Sequence, residues 1–326
     1  MRDLKNKLTS SGKNTTKIEL KRYKSFGYQV LGFGAGGGGG SPFVEATGGT
    51  ITESGDFKIH TFTGPGTFTV TNVGKCTGST TVDYVVVAGG GGAGGGSGGA
   101  GGGGAGGHRH NYPQPATGGL SVSAQGYPIT VGAGGNGGPG PAPANHNGLR
   151  GLDSVFSSIT SAGGGGGLEN GPAACFASGG SGGGGSYQVN GRPGGAGNTP
   201  PTSPSQGNNG GTAALIAAYN TSGAGGGGIG AVGQPGPSGV CSRAGVGGAG
   251  VANSITGTPV VRASGGNGHG QKNPGGTIVN APTPTPGGGG ASGSNGTANT
   301  GGGGGSSYPT AGNGGSGVVI ISYKFQ

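Results

Sequence analysis

Apolar and polar residues alternate in only a few parts of this chain, and each of those parts has the period of a strand. Near the start, Ile18 and Leu20 alternate with Lys17, Glu19 and Lys21, the spacing of a half-buried strand. Leu4 and Leu8 stand four apart in "RDLKNKL", a one-sided helix signal too short to persist without something to dock on. From Thr50 to Ala88 the pattern is β throughout. "DFKIHTFTGPGTFTVTNV" holds two runs of Phe, Ile, Thr and Val broken at Gly64-Pro65-Gly66, which predicts a hairpin. The strands Thr81–Val87 and Val318–Phe325 carry too little polar alternation for a wet face, so both are expected to be buried on two sides.

These two apolar strands bracket a region of a different kind. After Ala88 the chain runs from Gly89 to Gly107 with only Ala93, Ser97, Ala100 and Ala105 interrupting glycine. Further dense runs follow at 132–140, 163–167, 179–185, 222–230, 244–250, 286–290 and 301–305. Segments with ordinary side chains punctuate them, for example "GLDSVFSSITSA" and "TAALIAAYNTS". A flexible linker has no cause for such punctuation; a stack of extended segments joined by loops does. Ordering each glycine costs about 1–2 kcal/mol with no side-chain burial to offset it. The remaining sources of cohesion are backbone hydrogen bonds and close backbone approach. Polyproline-II geometry, with three residues per turn and every N–H and C=O pointing outward, supplies both when several such helices pack together. The expected fold is therefore all-β and irregular. Short antiparallel strands at 50–87 and 318–325 bracket a polyglycine-II-like bundle over 88–317, with almost no helix and no oily core of normal size.

Composition supports this reading and adds a division of the chain. Of 326 residues 96 are Gly and 21 Pro, and charged residues make up 8%; composition alone would also fit a disordered chain. Charge is concentrated at the start: residues 1–24 carry eight basic and two acidic side chains, +6 of the net +9. The expected domains are a basic docking segment over 1–33, a glycine-rich joint over 34–49 and the glycine-rich domain over 50–326. Leu4, Leu8, Lys17, Lys21 and Arg22 are the docking candidates. No aromatic-interleaved basic patch suggests nucleic acid. Cys76, Cys175 and Cys241 are far apart, which gives neither a disulfide framework nor a zinc site. No signal peptide or membrane span is expected in this sequence.

The segments "ATGGTITESGDFKIHTFTGPGTFTV", "VDYVVVAGGGG" and "GGSGVVIISY" resemble the glycine-rich domain of bacteriophage tail-fibre and virion proteins. "AGGHRH", "ITVGAGG" and "ITGTPVVRASGG" echo its inner segments. The resemblance covers about residues 46–326 and implies layered polyglycine-II sandwiches with receptor-binding loops at one end. It implies a non-enzymatic virion protein: a tail fibre, spike or adhesin for host attachment, or a fibre or capsid decoration without a receptor. Its partners would be other virion proteins, reached through residues 1–33, and a bacterial glycan or outer-membrane protein. A homotrimer is one assembly that fits fibres; a single copy seated on a trimeric fibre is another.

No constellation for catalysis is present. Matches to G-x-G-x-x-G lack a βαβ frame, and "VGKCTGST" lacks the Ser or Thr after Lys of a phosphate loop. No cofactor is expected. His108 and His110 on an extended chain face one way, but two imidazoles fall short of a metal's ligand set, so a solvated loop with a receptor-facing His is expected. The receptor-contact candidates are His108, Arg109, His110, Tyr112, Tyr127, Phe176, Tyr187 and Tyr219, with Tyr308 beside them. Tyr offers large contact area at low entropy cost. The competing reading has the aromatic rings cap the bundle edges.

Overall fold

The computed structural model describes residues 41–326 apart from 97, 113–118, 140–145, 170–175, 188–190, 218–219, 238–242 and 273–276. The docking candidates Leu4, Leu8, Lys17, Lys21 and Arg22, Tyr219, and Cys175 and Cys241 lie outside the described residues. The strands are β1 (Val44–Thr47), β2 (Thr50–Ser54), β3 (Phe57–Phe62), β4 (Gly66–Val73), β5 (Thr81–Val87), β6 (His108–His110), β7 (Leu120–Ser121), β8 (Gly126–Thr130), β9 (Ser154–Phe156) and β10 (Ile159–Ser161). They continue with β11 (Ala214–Ala217), β12 (Asn220–Ser222), β13 (Val251–Asn253), β14 (Val260–Arg262), β15 (His269–Lys272), β16 (Thr277–Asn280) and β17 (Val318–Lys324). The described chain is all-β, with several antiparallel sheets and no helix. The first strand begins at Val44, inside the stretch expected to be a joint.

Two sheets form a sandwich. One has the order β1-β4-β8-β9-β10; the other runs β2-β3-β17-β5-β6, with β7 also on β5. The bracketing strands meet as expected: β17 pairs with β5 from Val318 opposite Val87 to Ser322 opposite Asp83. Their near-continuous apolar sequence has a two-sided cause. Val82, Val86, Val319, Ile321 and Tyr323 face Phe68, Val70, Tyr127, Ile129 and Phe156 of the other sheet. Val85, Val87, Val318 and Ile320 on the reverse face pack on Ile59, Ala105, Ile255 and Ala263. A small oily core therefore exists, in two clusters on either face of this sheet. Its side chains come from β1, β3, β4, β5 and β17 at the two ends of the glycine region and from Ala105, Tyr127, Ile129, Phe156, Ile255 and Ala263 within it.

The expected hairpin at Gly64-Pro65-Gly66 does not form. β3 pairs with β2 and β17, whereas β4 pairs with β1 and β8, so the chain changes sheet there, as it does between β1 and β2. Glycine makes the crossing from β1 to β2 feasible: Gly48 and Gly49 have φ of +110° and +64°. A Cβ on Gly66 would stand 3.1 Å from the Phe62 ring. Phe62 and Phe68 thereby reach the same core from opposite sheets.

A polar chain threads this core. Gly48 O can only accept, so His60 Nδ1 donates to it at 2.7 Å. His60 Nε2 then accepts from Tyr323 Oη at 3.1 Å, and Tyr323 Oη accepts from the Ala46 N–H at 3.1 Å. Tyr323→Phe would leave the His60 acceptor and the Ala46 donor unmatched. We expect a loss of about 1–3 kcal/mol in urea unfolding; an unchanged midpoint would show that these bonds contribute nothing.

Beyond the sandwich the hydrogen bonds repeat every three residues. Gly89, Gly92 and Gly95 donate to Leu152, Leu149 and His146, Gly90 and Ala93 to Gly315 and Gly312, and Gly91 and Gly94 to Gly104 and Gly101. Successive residues thus bond to three different neighbours, the signature of a threefold polyglycine-II helix. The run 89–107 is a pair of such helices, 89–95 and 101–107, lying antiparallel. The first is ringed by 132–138, 146–152, 162–168, 101–107, 301–306 and 312–317, each bonded to the next around the ring. The second has the first as one neighbour, shares 162–168 and 301–306 with it, and adds 180–185, 223–228 and 263–268. This is hexagonal packing of main chain. A Cβ at Gly90, Gly91 or Gly103 would overlap the carbonyls of Gly302, Gly165 and Gly91, far inside the 3.0 Å limit of real contacts.

Inner and outer helices differ in sequence. The inner ones, such as 162–168 and 301–306, are buried at every position. In outer ones every third residue is exposed and is not glycine: Ala133, Asn136 and Pro139; Leu149 and Leu152; Pro193 and Ala196; Asn209 and Thr212. Asn side chains also replace missing backbone acceptors at this surface. Gly137 N–H donates to Asn313 Oδ1, Asn313 N–H to Asn295 Oδ1 and Gly197 N–H to Asn209 Oδ1, each at 2.8 Å.

Candidate functional site

The bundle has one end on the sandwich and one end made of turns. Helix 89–95 leaves from β5 and 101–107 returns to β6; 132–138 leaves from β8 and 146–152 returns to β9. The reversals therefore collect at the far end, together with the small sheet β11-β12-β15-β16. A groove of about 460 Å³ opens there, lined by Asn136, Gly137, Pro139, Asn147, Gly148, Leu149 and Phe176. Leu149 is 49% and Phe176 36% exposed, so the groove offers an apolar wall beside two amide side chains.

Buried polar groups hold this end in place. His146 Nδ1 donates to Pro139 O at 2.9 Å, and the Glu169 N–H donates to Asn147 Oδ1 at 2.6 Å. Ser186 Oγ donates to Glu169 O at 2.6 Å. Burial pushes the Glu169 carboxyl above its usual pKa, against a smaller opposing effect of His146. Deeper in, Ser306 Oγ donates to Gly94 O at 2.6 Å and so accepts from His269 Nδ1 at 2.7 Å. Burial lowers the His269 pKa to about 4.

The "HRH" stretch lies at the other end, as edge strand β6. His108 and His110 do share a side: their Nδ1 atoms are 3.3 Å apart, in hydrogen-bond contact. His108 is nonetheless only 2% exposed, a correction to the expected solvated loop, because β5 and the bundle cover it. Its pKa falls to about 3, first through burial and then through the charges of His110 and Arg262. Among the described residues no group of three or more His, Cys, Asp or Glu side chains is placed to hold a metal.

The family model for a glycine-rich domain matches residues 61–324. The chain belongs to this glycine-rich domain family. That span starts within β3 and ends with β17, so in this chain the glycine-rich domain joins the sandwich and the bundle in one unit, Phe43–Gln326. Among curated proteins none matches the chain.

Within the glycine-rich domain the sequence candidates separate. Phe176 lines the distal groove. Tyr187 is half-buried and its N–H donates to Gly99 O at 3.0 Å; Tyr308 is half-buried between helices 301–306 and 312–317. Tyr127 is a core residue of β8 at 8% exposure, with its hydroxyl on Ser123. Tyr112 packs against the reverse face of the β5–β17 sheet. These two rings pack against the apolar clusters of the sandwich, and Tyr127 lies within its core and not at a bundle edge. Sequence reasoning missed Asn136, Asn147 and Leu149. For Asn136 the signal was present in the triplet spacing of "GAGGNGGPG", where the residue outside each glycine pair is exposed.

Proposed function

We propose that this chain is a non-enzymatic structural protein of a bacteriophage virion, a tail fibre, spike or adhesin that attaches to the host cell. In this reading residues 1–33 dock on other virion proteins, and the distal turns of the bundle face a bacterial glycan or outer-membrane protein. The observation that carries it is the groove of Phe176, Leu149, Asn136 and Asn147 at the end remote from the sandwich. An apolar wall with a few fixed amides is the composition of a recognition site. Membership in the glycine-rich domain family supports the scaffold half of the reading. A bundle locked by main-chain bonds supports it too, since contact residues on a rigid frame bind with less ordering cost.

The test is attachment of the purified full chain to susceptible cells, compared with its Phe176→Ala variant. The variant is expected to bind about tenfold more weakly, a loss of ~1.4 kcal/mol. A chain that binds no cells and does not block infection, yet incorporates into particles, would make it a decoration protein instead.

A further inference from the structure

A second concavity lies at the free edge of β6, lined by Tyr84, His108, Arg109, His110, Pro204 and Ser205. We propose that this cleft binds an oxyanion: a carboxylate, sulfate or phosphate group whose carrier projects past Pro204 and Ser205 into solvent. The inference stands independently of what the distal end binds.

Among the described residues the one lining group with a fixed charge is the Arg109 guanidinium. Arg109 can only donate, the Tyr84 phenol and the imidazoles can donate, the Ser205 hydroxyl donates to Gly207 O at 2.8 Å, and among the described residues no carboxylate lines the cleft. Asp83, the acidic residue of β5, stands on the same face of that strand as Val85 but is not part of the lining. Arg109 spends one donor on Thr160 O at 3.4 Å; its fork is otherwise open to a planar oxyanion. His108 and His110 share one proton between their Nδ1 atoms, and His108 Nε2 has no partner among the described residues. Arg262, whose charge is felt at His108 although it does not line the cleft, is only 8% exposed, with Nη1 also unpartnered and no ion pair among the described residues. A buried cation without a counter-charge is costly, and an anion bound nearby reduces that cost. Burial lowers the pKa of both groups, and for His108 the charges of His110 and Arg262 add to it. A volume of about 170 Å³ takes one oxyanion with part of its carrier, since a water occupies ~30 Å³. A cation is disfavoured by Arg109 in the lining and by the charge of Arg262 nearby. Pro204 and Ser205 are exposed, which leaves the entrance open.

The test follows the His110 ring resonances of the full chain by NMR at constant ionic strength. Sulfate, phosphate, glucuronate and neutral glucose are added in turn. A saturable shift with the anions and none with glucose is expected, with the His110 pKa rising in the bound state. Stronger binding of glucuronate than of the inorganic ions would identify an acidic sugar as the carrier; the reverse order would identify a free ion. Arg109→Gln should weaken binding about tenfold, and Ser205→Ala on the exposed rim should weaken it less while leaving the amide spectrum unchanged elsewhere. No saturable shift, an equal response to glucose, or undiminished binding in both variants would overturn the proposal.

Discussion

Gly103→Ala is expected to destabilise this protein by about 3 kcal/mol or more, although it adds one methyl group. The new Cβ would overlap Gly91 O and press on Gly304 N at 3.0 Å. Gly103 N–H itself donates to Gly304 O at 2.9 Å. Overpacking an ordinary core costs ~1–3 kcal/mol because side chains can shift. Here the obstructing atoms are backbone, held by their own hydrogen bonds, so separating them breaks several bonds at ~1 kcal/mol each. Two controls make the claim specific. Gly64→Ala meets nothing within 4 Å and should be neutral or slightly stabilising. Asn209→Ala, on the outer row, should lose only the bond to the Gly197 N–H. Urea unfolding of the three variants decides the matter; a Gly103→Ala protein as stable as Gly64→Ala would refute main-chain close packing.

Acid is expected to destabilise the protein well above the pH at which carboxylates titrate. His108 and His269 have folded-state pKa values of about 3 and about 4, and burial also lowers those of His60 and His110. An unfolded chain takes up protons on these rings below pH ~6.5 that the folded chain refuses. Stability is therefore full above that pH and falls as pH drops toward 4. Each buried neutral ring forfeits ~1.4 kcal/mol for every pH step of one below ~6.5, so His108 and His269 together remove on the order of 5 kcal/mol by about pH 4.5. Glu169 works the other way: its raised pKa means that acidification favours the folded form, but one carboxyl does not offset the histidines. Urea midpoints at pH 7.5 and 4.5 measure the effect, and His269→Gln should flatten the dependence. Equal midpoints at both pH values would show that the rings are not buried as neutral groups.

Both predictions depend on features that the sequence revealed unequally. The glycine runs marked which segments have a main-chain interior, and their three-residue logic followed from the absence of anything else to bond. None of the lowered histidine pKa values was legible: His60, His108 and His269 sit in strands whose burial is set by distant partners. The anion cleft was half-legible. His108, Arg109 and His110 stood out as a cluster, but Tyr84, Pro204 and Ser205 stand elsewhere in the chain and carry no pattern of their own. The distal groove was legible through Phe176 alone.

Local sequence was enough to set the strands Thr81–Val87 and Val318–Phe325, the latter ending one residue earlier in the fold, their two-sided burial and the extended glycine segments. Each of these is written in short-range period and side-chain size. Only the assembled fold fixed that β3 and β4 part into different sheets, which helix bonds to which, and that an apolar core sits beside the glycine bundle. Glycine carries no side chain to specify a neighbour, so its address comes from where the punctuating loops and the sandwich place each run.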